Sequence, residues 1–257
     1  MNKLSVVIIT FNEERNIGRC IDSVLPVADE VLVLDSHSTD KTCAIAVAKG
    51  ARVLQQPFAG YIEQKNNALA LAQNDLVLSL DADEALDERL QQSILSAKKN
   101  KMAAGYTMNR CTYYCGRFIR HGAWYPDRKL RLFSRQLAQW GGTNPHDKVE
   151  FHSPQTSIHL AGDILHYSYY TLEEHITQNN KFSTIAAESY FSRGKRTSLF
   201  RIWFNPCWAF FSGFFLRGGF LDGFYGYVIA RNVAHLTFMK HSKLYLLQRK
   251  ATNGKNE

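Results

Sequence analysis

The sequence has little with which to build a covalent or metal-stapled scaffold. Its five cysteines, Cys20, Cys43, Cys111, Cys115 and Cys207, are odd in number and scattered. That argues against a disulfide framework and for reduced, partly buried thiols. Cys111 and Cys115 stand four apart, but no second ligand pair accompanies them, which disfavours zinc. No secretory signal opens the chain: Met1-Asn2-Lys3 leads straight into Leu4–Ile9, an apolar run too short for a signal core with a cleavage site. The expected compartment is the cytoplasm. No glycine-rich loop follows that run. This counts against a P-loop and a dinucleotide fold, which both need glycine where backbone approaches phosphate. Internal repeats and low-complexity linkers are missing as well.

Acidic residues are scarce in one part only. From residue 175 onward 12 Lys and Arg face 3 Asp and Glu, whereas the first 174 residues hold 19 and 20. A neutral body with a basic tail points to an anionic membrane or to nucleic acid. The tail carries no nucleic-acid-binding motif, and its phenylalanines outnumber the polar groups needed to read bases or phosphates, so nucleic acid is not an expected partner.

The 257 residues suffice for one large domain or a domain with an appendage. The first hundred alternate strand and helix signals. Leu4–Thr10, Val31–Leu34, Ala51–Leu54 and Leu76–Leu80 read as strands, the first as one buried on both faces. Helices are expected over Glu13–Val24, from the Thr39-Asp40 cap to Lys49 with Gly50 as its stop, over Tyr61–Ala72 and over Asp87–Lys99. This order predicts an α/β domain with a parallel sheet. Shorter strands at Gly105–Arg110, Leu130–Ser134, Lys148–Phe151 and Asp163–Tyr167, joined by long loops, continue it as a mixed sheet. Thr171-Leu172-Glu173-Glu174 is a capping-box pattern and starts a helix.

In an open parallel sheet ligands bind beyond the carboxyl ends of the strands. Those ends carry Thr10–Glu14, Asp35–Asp40 and Asp81-Ala82-Asp83. On an extended segment Asp81 and Asp83 would point the same way, and two converging carboxylates attract a hard divalent cation able to bridge a diphosphate. By itself Asp-x-Asp is a weak signal that also suits an acidic loop ahead of a helix.

The combination is specific. Ser5–Glu14, Val33–Thr42, Gln64–Ala68 and Leu80–Glu84, in that order and spacing, resemble the nucleotide-binding half of family 2 glycosyltransferases, and the resemblance extends over about residues 4–170. It implies a GT-A-like, Rossmann-type α/β fold: a mixed, mainly parallel sheet flanked by helices. It implies that Thr10, Asn12 and Glu13 border the nucleoside. Asp35 would accept a hydrogen bond from the base, usually uracil, and Lys65 would lie near base and phosphates. Asp81 would lie near the ribose and Asp83 on a divalent metal, Mg²⁺ or Mn²⁺. The plain alternatives are a helix cap for Asp35 and a solvated helix position for Lys65.

His121–Phe133, followed by Asn144–Val149, is similar to one subgroup, which contains the β-1,4-glucosyltransferases of lipopolysaccharide inner-core assembly. Members usually show His-Glu where this chain has His146-Asp147. The resemblance implies UDP-glucose as donor and a membrane glycolipid as acceptor. Trp124, Arg128 and Arg131 are its candidates for acceptor or phosphate contact. Inverting transfer needs a base for the acceptor hydroxyl, and Asp147 is the candidate. The alternative for Asp147 is an ion pair with Lys148 or Arg128. His166 is a candidate to complete the metal shell, against an ordinary structural histidine. The competing activities are transfer to a polyprenyl-linked carrier or another surface glycan, and nucleotidyl transfer, which would need a phosphate-cradling loop that Thr10–Glu14 does not provide.

From Leu199 the chain turns aromatic, punctuated by Arg201, Arg217 and Arg231. Leu199–Leu216 is long enough to span a bilayer, but Arg201, Asn205 and Pro206 interrupt it. Aromatics with arginines instead predict a helical region lying in the headgroup plane of an anionic membrane. The expected organisation is a catalytic domain over 1–170, with donor binding at about 1–104 and acceptor and base at about 105–170. A basic, membrane-associating helical region then covers 171–257. The expected location is peripheral, on the inner face of the cytoplasmic membrane.

Overall fold

The structure, a computed structural model, describes residues 2–100, 103–143 and 146–253. Asn144 and Pro145 of the acceptor-side motif lie outside the described residues, as does the side chain of His146. The chain folds as two compact units. One runs to Cys111 and resumes over Pro126–Tyr167, and the other comprises Thr112–Tyr125 and the chain from Ser168 onward.

In the first unit, β1 (Leu4–Thr10) lies parallel between β2 (Glu30–Asp35) and β4 (Leu76–Asp81), and β3 (Arg52–Gln55) extends the parallel edge beyond β2. Every residue of β1 is buried, as the unbroken apolar run requires. The period-two alternation sends Leu4, Val6 and Ile8 to one core and Val7 and Ile9 to the other. Helices α1 (Ile17–Val24) and α4 (Glu88–Lys99) cover the first face with Ile17, Ile21, Leu90 and Ile94, and α3 (Tyr61–Leu71) covers the second with Ala68 and Leu69. The short α2 (Thr42–Ala48) ends ahead of Gly50, whose φ of +82° supplies the left-handed stop. The other half is antiparallel. β8 (Asp127–Ser134) pairs with β4, and then come β6 (Gly105–Tyr114), β11 (Ser157–Tyr169) and β5 (Glu84–Leu86). The fold is thus a mixed sheet flanked by helices, as expected.

Several boundaries differ from the sequence expectation. α1 begins at Ile17 rather than Glu13, because Asn12 sits at φ +53° and the Glu13 carbonyl closes a turn onto the Asn16 and Ile17 amides. The region of expected long loops is largely strand. β9 (Ala138–Thr143) and β10 (His146–Phe151) pair as a separate two-stranded sheet, so Lys148–Phe151 does not continue the main sheet as expected, and β6, β8 and β11 are all longer than foreseen. Asp83 falls in a turn between β4 and β5 rather than on the extended segment that holds Asp81.

The second unit contains β7 (Arg117–Phe118) and the helices α5 (Leu172–Ser192), α6 (Leu199–Phe211) and α7 (Gly223–Asn253). Thr171 and Glu174 make the reciprocal capping box that the sequence announced. After α6 a π-helical turn over Ser212–Leu216 and a 3₁₀ turn over Gly219–Asp222 reverse the chain into α7. Tyr114, Trp124, Tyr169 and His175 pack together, with the Tyr114 hydroxyl 3.0 Å from His175 Nδ1.

Candidate active site

The parallel register decides which residues meet. Thr10 is paired with Asp35, and Ile9 with Asp81, so three of the sequence candidates arrive at one edge of the sheet. A pocket of about 530 Å³ opens there, walled by Thr10, Glu13, Ser36, Gln64, Asp81, Asp83 and His166 and rimmed by Phe11, Phe58 and Tyr61. This is within the range of small-ligand sites. Among the described residues Thr10 Oγ1 is buried in its wall without a hydrogen-bond partner, a position a ligand donor or acceptor would satisfy.

β11 runs antiparallel to β5, setting His166 opposite Glu84. The Tyr167 amide donates to the Asp83 carbonyl at 2.8 Å, and this register brings His166 Nε2 to 3.1 Å from the Asp83 carboxylate. Among the described residues no group of three or more His, Cys, Asp and Glu is placed to hold an ion by itself. Asp83 with His166 is nevertheless a suitable partial shell. Mg²⁺ characteristically takes one or two protein ligands and completes its octahedron from substrate phosphates and water, and Mn²⁺ accepts a nitrogen beside carboxylate. Burial raises the nearby Glu13 carboxyl above its usual range, and the negative charges of Asp83 and Asp40 add to the rise.

Deeper in the same unit lies a charge network. Lys65 is buried rather than solvated. Its ammonium reaches Asp147 at 2.7 Å and Asp81 at 3.1 Å, and it sits 4.2 Å from the centre of the Trp140 ring. Arg131, also buried, contacts Glu84 at 3.1 Å and Asp81 at 3.5 Å. Burial alone would raise the Asp81 carboxyl, but the Lys65 and Arg131 cations outweigh it and hold Asp81 well below the usual carboxylate range. Asp147, on β10 opposite Gly142, therefore pairs with Lys65 and not with Lys148 or Arg128. Lys148 turns to Glu150 instead.

Other candidates sit beside the pocket. Asp35 is fully buried and accepts from the Ser38 amide at 2.8 Å and from Gln55 at 2.9 Å. Burial pushes its carboxyl up, but the Ser38 and Gln55 hydrogen bonds prevail and lower it. Asn12 ties two loops together, accepting from the Thr39 amide at 2.9 Å while its own amide donates to Ser38 at 2.8 Å. Arg128 is exposed on β8, and Trp124 belongs to the aromatic cluster of the second unit. The sequence reading passed over Gln64, Glu84 and Trp140. Gln64 and Lys65 are neighbours in one motif, so Gln64 was within reach. Glu84 closes the Leu80–Glu84 motif and accepts from the Asp81 amide at 3.0 Å, but its ion pair with Arg131 lies far along the chain, and nothing local marks Trp140.

Residues 5–155 match Glycosyl transferase family 2. The chain is 36% identical to an uncharacterized glycosyltransferase of Rickettsia felis, over 95% of this chain and 90% of that protein. It is 30% identical to the lipopolysaccharide core biosynthesis glycosyltransferase LpsC of Rhizobium meliloti, over 94% of this chain and 92% of that one. A crystal structure of glucosyl-3-phosphoglycerate synthase from Mycobacterium tuberculosis with Mn²⁺, UDP and glucosyl-3-phosphoglycerate is 29% identical, with 44% of each chain covered and a TM-score of 0.36. That likeness is too weak to carry the site across.

Proposed function

The chain belongs to glycosyl transferase family 2, and on that premise we propose that it is an inverting, metal-dependent hexosyltransferase. It moves a sugar, glucose in the subgroup it resembles, from a UDP-sugar to a membrane glycolipid of the lipopolysaccharide inner core. The observation that carries this reading is the convergence of Glu13, Asp81, Asp83 and His166 on one pocket at the carboxyl ends of β1 and β4. The similarity to a protein named for lipopolysaccharide core biosynthesis supports the choice of acceptor.

Each residue's part follows from where it lies. The exposed rings of Phe11, Phe58 and Tyr61 at the rim offer apolar surface to a base. Thr10 and Glu13 border the nucleoside, with Asn12 and Asp35 shaping the loops around it. Asp83 and His166 would hold Mg²⁺ or Mn²⁺, which supplies positive charge against the departing diphosphate when bound. Lys65 and Arg131 fix the orientation of Asp81 from behind. Asp147 takes the proton of the acceptor hydroxyl as that oxygen attacks the anomeric carbon. Its pairing with Lys65 holds the carboxylate in place. Residues 1–104 serve the donor, 105–170 the acceptor and base, and 171–257 hold the enzyme peripherally at the inner face of the cytoplasmic membrane.

Replacing Asp83 by Ala tests the assignment. Its carboxylate borders the pocket and is part-exposed, so the fold should survive while sugar transfer is lost. Turnover and thermal melting measured together check this. A folded Asp83→Ala enzyme with full activity refutes the site.

A further inference from the structure

The second unit contains a helix whose two faces are both apolar. No residue of α6 is fully buried. Ile202, Asn205, Pro206 and Ala209 are partly covered, while Phe200, Trp203, Phe204, Cys207, Trp208 and Phe211 remain exposed. That spacing, continued by Phe215 in the π-helical turn, follows the three- and four-residue steps of one helix face. Trp203 is 69% exposed and Phe200 66%. An ordinary surface helix turns charged residues to water, yet Arg201 is the one charged side chain in α6. No described helix is long and apolar enough to cross a membrane. From Leu199 to Leu216 the helical segment is about 27 Å long, enough to lie along a surface.

Charge selects what covers this face. Residues 189–253 hold ten Lys and Arg against one acid, Asp222. Asp222 is buried, accepting from the Arg120 and His121 amides. Lys195, Arg196, Arg201 and Arg217, which bracket the aromatic face, are all exposed. A second copy joined through the same patch would bring these cations against their own equivalents, since a twofold interface is self-complementary. An anionic lipid surface is their complement, and Trp, Phe and Arg are side chains suited to the boundary between acyl chains and headgroups.

We propose that the outward face of α6 and the π-helical turn after it is the membrane-docking surface. Phe200, Trp203, Phe204, Trp208, Phe211 and Phe215 enter the acyl boundary of an anionic bilayer, and Lys195, Arg196, Arg201 and Arg217 meet lipid phosphates. This rests on the peripheral placement within the proposed function and names the surface that achieves it.

The test uses the full chain with vesicles of phosphatidylglycerol and phosphatidylcholine, some with brominated acyl chains. The wild type should float with the vesicles, be released by alkaline carbonate, and show tryptophan fluorescence quenched by bromine. W203F/W208F should still float and lose the quenching, because Trp124 and Trp140 lie elsewhere in the fold. R196E/R217E should bind on the order of tenfold or more weakly, a difference that shrinks as salt rises. Failure to float, resistance to carbonate, or quenching that persists in W203F/W208F overturns the proposal. So does a dimer that W203S/W208S dissolves without any vesicle binding. UDP calorimetry on the same preparations separates the two readings. Wild type that binds UDP but does not float refutes the docking surface alone, and wild type that floats but does not bind UDP refutes the sugar chemistry alone.

Discussion

Lys65 shows how much a single buried cation organises. With Asp147 and Asp81 on one side and the Trp140 ring on the other, its ammonium exchanges water for two carboxylates and a π face. A buried charge is tolerable only when paired in this way. Its position also makes a prediction about Asp147 specific. Asp147→Asn keeps the shape and can still accept from Lys65, but it cannot take up a proton. Turnover should fall on the order of 10²–10⁴-fold while UDP binding by calorimetry is retained. Near-native transfer by Asp147→Asn would place the base elsewhere.

His175 gives a residue-scale prediction about stability. It is 1% exposed, and burial lowers its pKa from 6.5 to about 4. The unfolded chain therefore binds this proton more readily than the folded one between those two values. The neutral ring's contribution is intact above pH 6.5 and is lost as pH falls towards 4, amounting to roughly 3 kcal/mol at most. Denaturant unfolding across pH 7 to 4 should show this loss, and His175→Gln should flatten that part of the profile. An equal slope in both proteins would show that other groups set it.

At the scale of elements, the β1, β2 and β4 runs were legible because burial on both faces leaves an uninterrupted apolar string, and their carboxyl ends pointed directly to Asp81 and Asp83. The Thr171 cap was equally plain. β9 was not: Ala138-Gln139-Trp140-Gly141-Gly142-Thr143 contains two glycines and reads as a turn. It becomes a strand because Trp140 packs into the core and β10 pairs along it. The start of α1 was displaced by the left-handed Asn12, which no periodicity reveals. The Lys65–Asp147 pair joins residues 82 apart, and local pattern cannot supply such a contact. The close packing of α7 offers a test at this scale. A Cβ on Gly226 would collide with the carbonyl oxygen of Gly219 in the 3₁₀ turn. Gly226→Ala should therefore destabilise the protein by about 1–3 kcal/mol, read from denaturant midpoints. An unchanged midpoint would show that the turn yields freely.

At the scale of the molecule, the chain separates its tasks by composition. The neutral unit carries the pocket and its carboxylates, and the basic unit carries the net positive charge and most of the exposed aromatics. The central claim is that the pocket transfers sugar from a nucleotide donor with the help of a divalent metal. Its most direct test is to incubate the protein with UDP-glucose, other UDP-sugars and extracted lipopolysaccharide precursors, with Mn²⁺ or with EDTA, and to weigh the products. The account predicts one acceptor heavier by a hexose, equimolar UDP, and loss of both with EDTA. Undiminished transfer after metal removal, or no transfer from any UDP-sugar by protein that binds Mn²⁺ and is fully folded, would contradict it.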